Sequence, residues 1–170
     1  MKAEYFSSDI QDFLFVLSKY QVRYVIVGGE AVIYHGHVRL TGDVDIFFES
    51  NPDNVKRVFS ALNEFWESDI PGLDNMDELL ETGVILQFGV PPNRIDLINR
   101  VDNVSFDDAW KGKVSEKMTV KDQAVPVYYL GLEQLINNKE ALKRPKDLED
   151  LKYLRNAKEK GDLNSSVKRE

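Results

Sequence analysis

The chain has 170 residues, 42% of them hydrophobic, and a formal net charge of −7, which is enough apolar material for one sizeable core. That acidity argues against sequence-independent wrapping of nucleic acid, which draws its affinity from many Lys and Arg contacts to phosphate, and leaves room only for a local basic patch. With Cys 0, disulfides, thiolate metal sites and a cysteine nucleophile are excluded, so any chemistry falls to carboxylates, lysine, hydroxyls or histidine.

No run approaches the roughly 18 apolar residues of a membrane span. The acidic start "MKAEYFSSDIQDF" lacks the basic and apolar segments of a signal peptide. The expectation is a cytoplasmic protein with no membrane partner.

Along the chain, "SDIQDFLFVLSKY" (Ser8 to Tyr20) sets Ile10, Phe13, Leu14 and Leu17 in a helical stripe, with Ser8 as its cap. "VRYVIV" (Val22 to Val27) is nearly continuous in apolarity and reads as a strand covered on both faces, ended by Gly28-Gly29. "EAVIYHG" opens a short helix that stops at Gly36, "DVDIFFE" (Asp43 to Glu49) is a strand, and Asn51-Pro52 starts another helix. "PGLDNMDELLETG" is a polar connection with room for one helical turn. "VILQFGV" and "RIDLI" form a hairpin through Pro91-Pro92-Asn93. "SFDDAWKGK" is a short helix, and "KMTVKDQAVPVYYL" holds two short strands, with Pro126 confining its strand to an edge or its first residues. Two helices, about Gly131 to Leu142 and Pro145 to Ala157, close the chain.

Strands and helices do not strictly alternate, so the fold class is α+β: a mixed β-sheet with helices packed on it and a short helical C-terminal extension. One domain spans residues 1–170, with a core over about 8–105, a strand pair and helices over about 106–160, and a frayed tail over 161–170.

Side chains on a strand alternate faces, so Asp43 and Asp45 point the same way, roughly 6.6 Å apart along the chain. On spacing alone they fit the polar side of a half-buried strand better than a site. Their company shifts the balance. Gly28-Gly29 lies between a strand and a helix, where backbone N–H groups face an anion and a missing side chain permits close approach. It is neither a dinucleotide fingerprint nor a P-loop. Asp96 in "RIDLI" opposes Ile95 and Leu97, and a buried strand seldom holds an unpaired acid. Three aspartates on two strands beside a glycine turn are the parts of two-metal phosphoryl chemistry, with oxygen donors that suit Mg²⁺. His35 and His37 have no third nitrogen or sulfur ligand and read as structural. Trp66, Trp110 and Tyr128-Tyr129 read as packing.

These segments together resemble the polymerase-beta-type nucleotidyltransferase superfamily, and within it most nearly the bacterial AbiEii/AbiGii toxin-type nucleotidyltransferases. The shared pattern consists of Gly28-Gly29-Glu30-Ala31, His35-Gly36, the run Arg39 to Asp45, Lys139 to Leu142, Arg144 and Lys146-Asp147. It covers most of the chain from Val22 to Leu154.

The resemblance implies a nucleotidyltransferase fold and transfer of an NMP from an NTP to an acceptor hydroxyl on RNA, tRNA or protein, as a toxin–antitoxin or phage-defence component with an antitoxin-like partner. It implies two Mg²⁺ ions, replaceable by Mn²⁺, on Asp43, Asp45 and Asp96. Lys139 joins these three as a catalytic residue. Gly28, Gly29, Arg39, Thr41, Lys143, Arg144 and Asp147 are the nucleotide-binding set. Many members of the superfamily carry Ser or Thr after the two glycines, where this chain has Glu30. An acid there is the feature that favours the alternative, a non-catalytic nucleotide- or partner-binding module of the same fold.

Overall fold

The computed structural model describes residues 5–167, with side chains to residue 161. Helix α1 (Ser8–Lys19) is capped one residue earlier than expected, by Ser7, whose hydroxyl accepts from the Ile10 amide at 3.5 Å. Its predicted stripe is buried. Strand β1 (Tyr24–Val27) leads directly into helix α2 (Gly28–Tyr34), so the two glycines form the first turn of the helix rather than a loop before it. Strand β2 (Asp43–Phe48) follows, and then helix α3 (Pro52–Phe65), capped by the Asn51 side chain on the Asn54 amide.

The polar connection contains a 3-10 turn at Met76–Leu80 with an Asn75/Glu78 capping box. Strands β3 (Ile85–Phe88) and β4 (Arg94–Ile98) form the expected antiparallel hairpin. Helix α4 (Phe106–Gly112), the strand pair β5 (Val114–Val120) and β6 (Gln123–Tyr129), and helices α5 (Leu132–Leu142) and α6 (Pro145–Val167) complete the chain. Helix α6 extends well past Ala157, where its pattern had been read to end. The tail expected to fray over 161–170 falls almost wholly on residues whose side chains, from 162 on, lie outside those described.

The six strands make one mixed sheet in the order β3-β4-β2-β1-β6-β5. Strand β2 runs antiparallel to β1 and parallel to β4, and β1 runs parallel to β6. Pro126 is the fourth residue of β6, an interior strand, which corrects the expectation of an edge or first position. The missing N–H is tolerated because β1 is short and its backbone pairs with β6 only at Ile26–Tyr129, so the ladder partner of Pro126 is on β5 and β1 reaches it only through the Tyr24 hydroxyl, which donates to the Pro126 carbonyl at 3.2 Å.

Alternation divides the sheet into two faces. Tyr24, Ile26, Val44, Ile46, Phe48, Ile95 and Leu97 pack with α1 and α3. Val25, Val27 and Phe47 pack on the opposite face with α2, α4, α5 and α6. Asp43, Asp45, Arg94 and Asp96 share this second face by strand parity. They lie beside the N-terminal residues of α2, Gly28 and Gly29, and line a cleft with them.

Candidate active site

The parallel pairing of β2 with β4 sets Asp43 opposite Arg94 and Asp45 opposite Asp96. One carboxylate oxygen from each of Asp43, Asp45 and Asp96 lies within 4.8 Å of the other two, so the three aspartates singled out from spacing converge. They line a cleft of about 490 Å³ with Gly28, Gly29, Arg39, Thr41, Gln87, Arg94, Lys139, Arg144 and Lys146.

The glycines are required by closeness. Gly28 has φ +63°, and a Cβ there would overlap the Asp45 carboxylate. A Cβ at Gly29 would stand 2.6 Å from Thr41 Oγ1. The pair therefore lets the β2 carboxylates and the Thr41 loop close onto the start of α2. Thr41 Oγ1 donates to Asp43 Oδ1 at 3.1 Å and fixes that carboxylate.

Charge is unequally shared among the three acids. Arg94 Nε donates to Asp96 Oδ1 at 2.9 Å and its Nη2 to Asp96 Oδ2 at 3.0 Å, while the same Nη2 donates to Asp43 Oδ2. Gln87 adds a 3.2 Å bond to Asp96 Oδ2. Among the described residues no cation hydrogen-bonds Asp45. Burial, with repulsion from Asp43 and Asp96 added, pushes its pKa up from 3.8 to about 6, against a partial offset from Arg94 and Lys139. A cluster that so disfavours its own charge is a receptive site for a cation, and its three hard oxygen donors suit Mg²⁺ or Mn²⁺.

The cleft's far wall is built by α5 and α6. Lys139, 2% exposed, donates to Asp147 at 2.8 Å and lies 2.9 Å from Asp150. Arg39 meets Asp150 through Nε at 3.0 Å and Nη2 at 3.2 Å. Arg144 Nε donates to Asp147 at 2.6 Å. Burial would raise the Asp147 pKa, but hydrogen bonds from Arg144 and Lys139 outweigh it and hold it at about 2. Two buried acids of α6 thus anchor three cations, all of which line the cleft.

Of the residues read as nucleotide-binding, Gly28, Gly29, Arg39, Thr41 and Arg144 line the cleft. Asp147 lies behind its wall, fully buried. Lys143 is exposed and closes α5 in a left-handed turn (φ 54°), outside the cleft lining. Sequence reasoning missed Arg94, Gln87 and Asp150. Strand parity puts the first on the same face as Asp96, and Asp150 lies one turn beyond Asp147, but neither signal alone names a partner.

Glu30 is 8% exposed, and its carboxylate accepts from the Tyr5 hydroxyl at 2.7 Å; it is not among the cleft-lining residues. His35 Nε2 donates to the Leu130 carbonyl at 2.8 Å, and His37 stacks on Tyr153 with centroids 3.8 Å apart, 3.7 Å from Asp150. Neither histidine lines the cleft, and these contacts fit the structural reading drawn from the lack of a third nitrogen or sulfur ligand.

A mixed sheet that carries an Asp-x-Asp strand parallel to a second aspartate-bearing strand, next to a helix begun by two glycines, has the layout of a nucleotidyltransferase-like fold. The chain belongs to the family described as nucleotidyltransferase of unknown function (DUF6036), whose model matches residues 8–159. No curated protein matches it. The family match supports the superfamily read from the motifs, while the finer likeness to the AbiEii/AbiGii toxin type rests on motif spacing alone. Among the described residues no helix is long and apolar enough to cross a membrane.

Proposed function

We propose that the protein is a metal-dependent nucleotidyltransferase that moves an NMP from an NTP to a hydroxyl of an RNA or protein acceptor. The observation that carries this reading is the convergence of Asp43, Asp45 and Asp96 within 4.8 Å at one end of a cleft whose other wall is cationic. A triphosphate needs both ends: metal at the reacting phosphorus and fixed positive charge along the phosphates.

Asp43, Asp45 and Asp96 would hold the Mg²⁺ pair, which supplies charge neutralisation at the phosphates and a more acidic acceptor hydroxyl. Arg39, Lys139, Arg144 and Lys146 face the phosphate chain, and the absent side chains at Gly28 and Gly29 let it approach the backbone. The acceptor oxygen forms a bond to the α-phosphorus, the bond from that phosphorus to pyrophosphate breaks, and the acceptor proton passes toward Asp96. Catalysis is then chiefly positioning and electrostatics. A protein that transfers nucleotides to RNA or protein fits a toxin–antitoxin or phage-defence setting, with an antitoxin-like partner to restrain it.

The rival reading, a non-catalytic binding module, drew on Glu30. Its carboxylate is engaged by Tyr5 outside the cleft lining, with its repulsion of Asp43 opposed by its attraction to Arg39, which weakens the support for the rival. Incubating the protein with each α-labelled NTP, Mg²⁺ and a desalted cell extract tests the proposal. Label entering RNA or protein with the unmutated chain and not with Asp45→Ala supports it. Metal-dependent nucleotide binding with no movement of label supports the rival.

A further inference from the structure

Among the described residues Arg94 is the one cation hydrogen-bonded to the three aspartates, and the proposed function leaves it without a role. Its guanidinium takes both oxygens of Asp96 in a bidentate fork and reaches across the strand pair to Asp43 Oδ2. The position follows from the backbone: Arg94 is paired with Asp43 in the parallel ladder and lies two residues before Asp96, so its side chain leaves the sheet between the two acids. With Thr41 on Asp43 Oδ1 and Gln87 on Asp96 Oδ2, every carboxylate oxygen of these two residues accepts a hydrogen bond.

We infer that Arg94 is a built-in cation of the triad: it holds Asp43 and Asp96 together when no metal is present and competes with the metal for them. This rests on the reading of the triad as a metal site. The physical basis is that a guanidinium and a divalent ion drawing on the same carboxylate oxygens at short range repel each other in a partly desolvated cleft. Metal entry is therefore opposed by the guanidinium and eased when it leaves Asp43. The side chain has the freedom to do so, since it is 29% exposed and already lines the cleft, where a nucleotide's phosphates offer it a replacement partner. Arg94 consequently lowers the affinity of the site for free metal and couples metal binding to nucleotide binding. Coupling of this kind is reciprocal and ordinarily amounts to about 5–150-fold.

The test is binding of Mn²⁺ alone, followed by loss of the free-ion paramagnetic resonance signal, in the unmutated protein, Arg94→Gln, Arg94→Lys and Asp43→Asn. Mn²⁺ should bind Arg94→Gln about tenfold more tightly than the unmutated chain. Arg94→Lys, which keeps the charge and loses the fork, should fall between them. Should Arg94→Gln prove unfolded by circular dichroism, the ordering of Arg94→Lys above the unmutated chain decides the matter. Equal or weaker Mn²⁺ binding by folded Arg94 variants, with binding still abolished by Asp43→Asn, overturns the role of Arg94 and leaves the metal site standing. Mn²⁺ binding by none of the proteins removes the metal-site reading itself, and this inference with it.

Discussion

Replacing Asp45 with Asn should stabilise the protein while destroying its proposed activity. Asp45 is the triad member without a hydrogen-bonded cation, and its pKa stands at about 6 against an ordinary 3.8. An acid whose pKa is raised by folding favours the native state in its protonated form. The native state therefore loses stability on its account as pH rises from about 4 to about 6, and the loss is complete above that window. The displacement corresponds to about 3 kcal/mol at about 1.4 kcal/mol per unit, which solvent at the cleft mouth reduces to about 1–2 kcal/mol. Asn keeps the shape and never ionises. Urea denaturation without metal should show Asp45→Asn more stable by about 1–2 kcal/mol at pH 8 and no more stable than the unmutated chain at pH 4. Addition of Mg²⁺ with an NTP should stabilise the unmutated chain and reverse the order. A variant less stable at pH 8, or a gain independent of pH, would refute the electrostatic account of the triad.

Other perturbations follow from the same geometry. Lys139→Met removes the shared partner of two buried acids and should cost about 3 kcal/mol by urea denaturation, at the low end for a broken buried pair because Arg144 and Arg39 remain; a loss below about 1 kcal/mol would show the network to be slack. Gly28→Ala places a Cβ in the Asp45 carboxylate at a positive φ, so it should lower stability and abolish Mn²⁺ binding together, as read by thermal melting and metal titration. Glu30→Gln keeps an acceptor for Tyr5 and changes no cleft-lining group, so its transfer rate should stay within about twofold of the unmutated chain in the labelled-NTP assay; a large gain or loss would place Glu30 in the site.

Much of this arrangement was legible in the chain. The period-two alternation of "DVDIFF" and "RIDLI" puts Asp43, Asp45 and Asp96 opposite apolar residues, and parallel pairing of those two strands brings them together. What parity could not supply was the pairing of the strands or the partner of each acid. Arg94 shares a face with Asp96, yet an arginine at a strand's first residue reads equally as solvated until the neighbouring strand presents Asp43. The direction of Glu30 depends on Tyr5, 25 residues away, and no local pattern encodes that contact. Asp147 was read as nucleotide-binding through the resemblance; its burial with Asp150 against Lys139 and Arg39 arises from the docking of α6 on α5 and the loop before β2. Pro126 was misplaced because the rule for proline concerns the local backbone partner, and the β1 ladder does not extend to it.

In the proposed reaction the NTP is cleaved between its α- and β-phosphates. The most direct measurement runs α-labelled and γ-labelled NTP in parallel with Mg²⁺, cell extract and either the unmutated protein or Asp96→Asn. The account predicts α-label in a macromolecular product, γ-label in released pyrophosphate, and neither with Asp96→Asn. Transfer of the γ-label instead, or α-label transfer undiminished in Asp96→Asn, would contradict it.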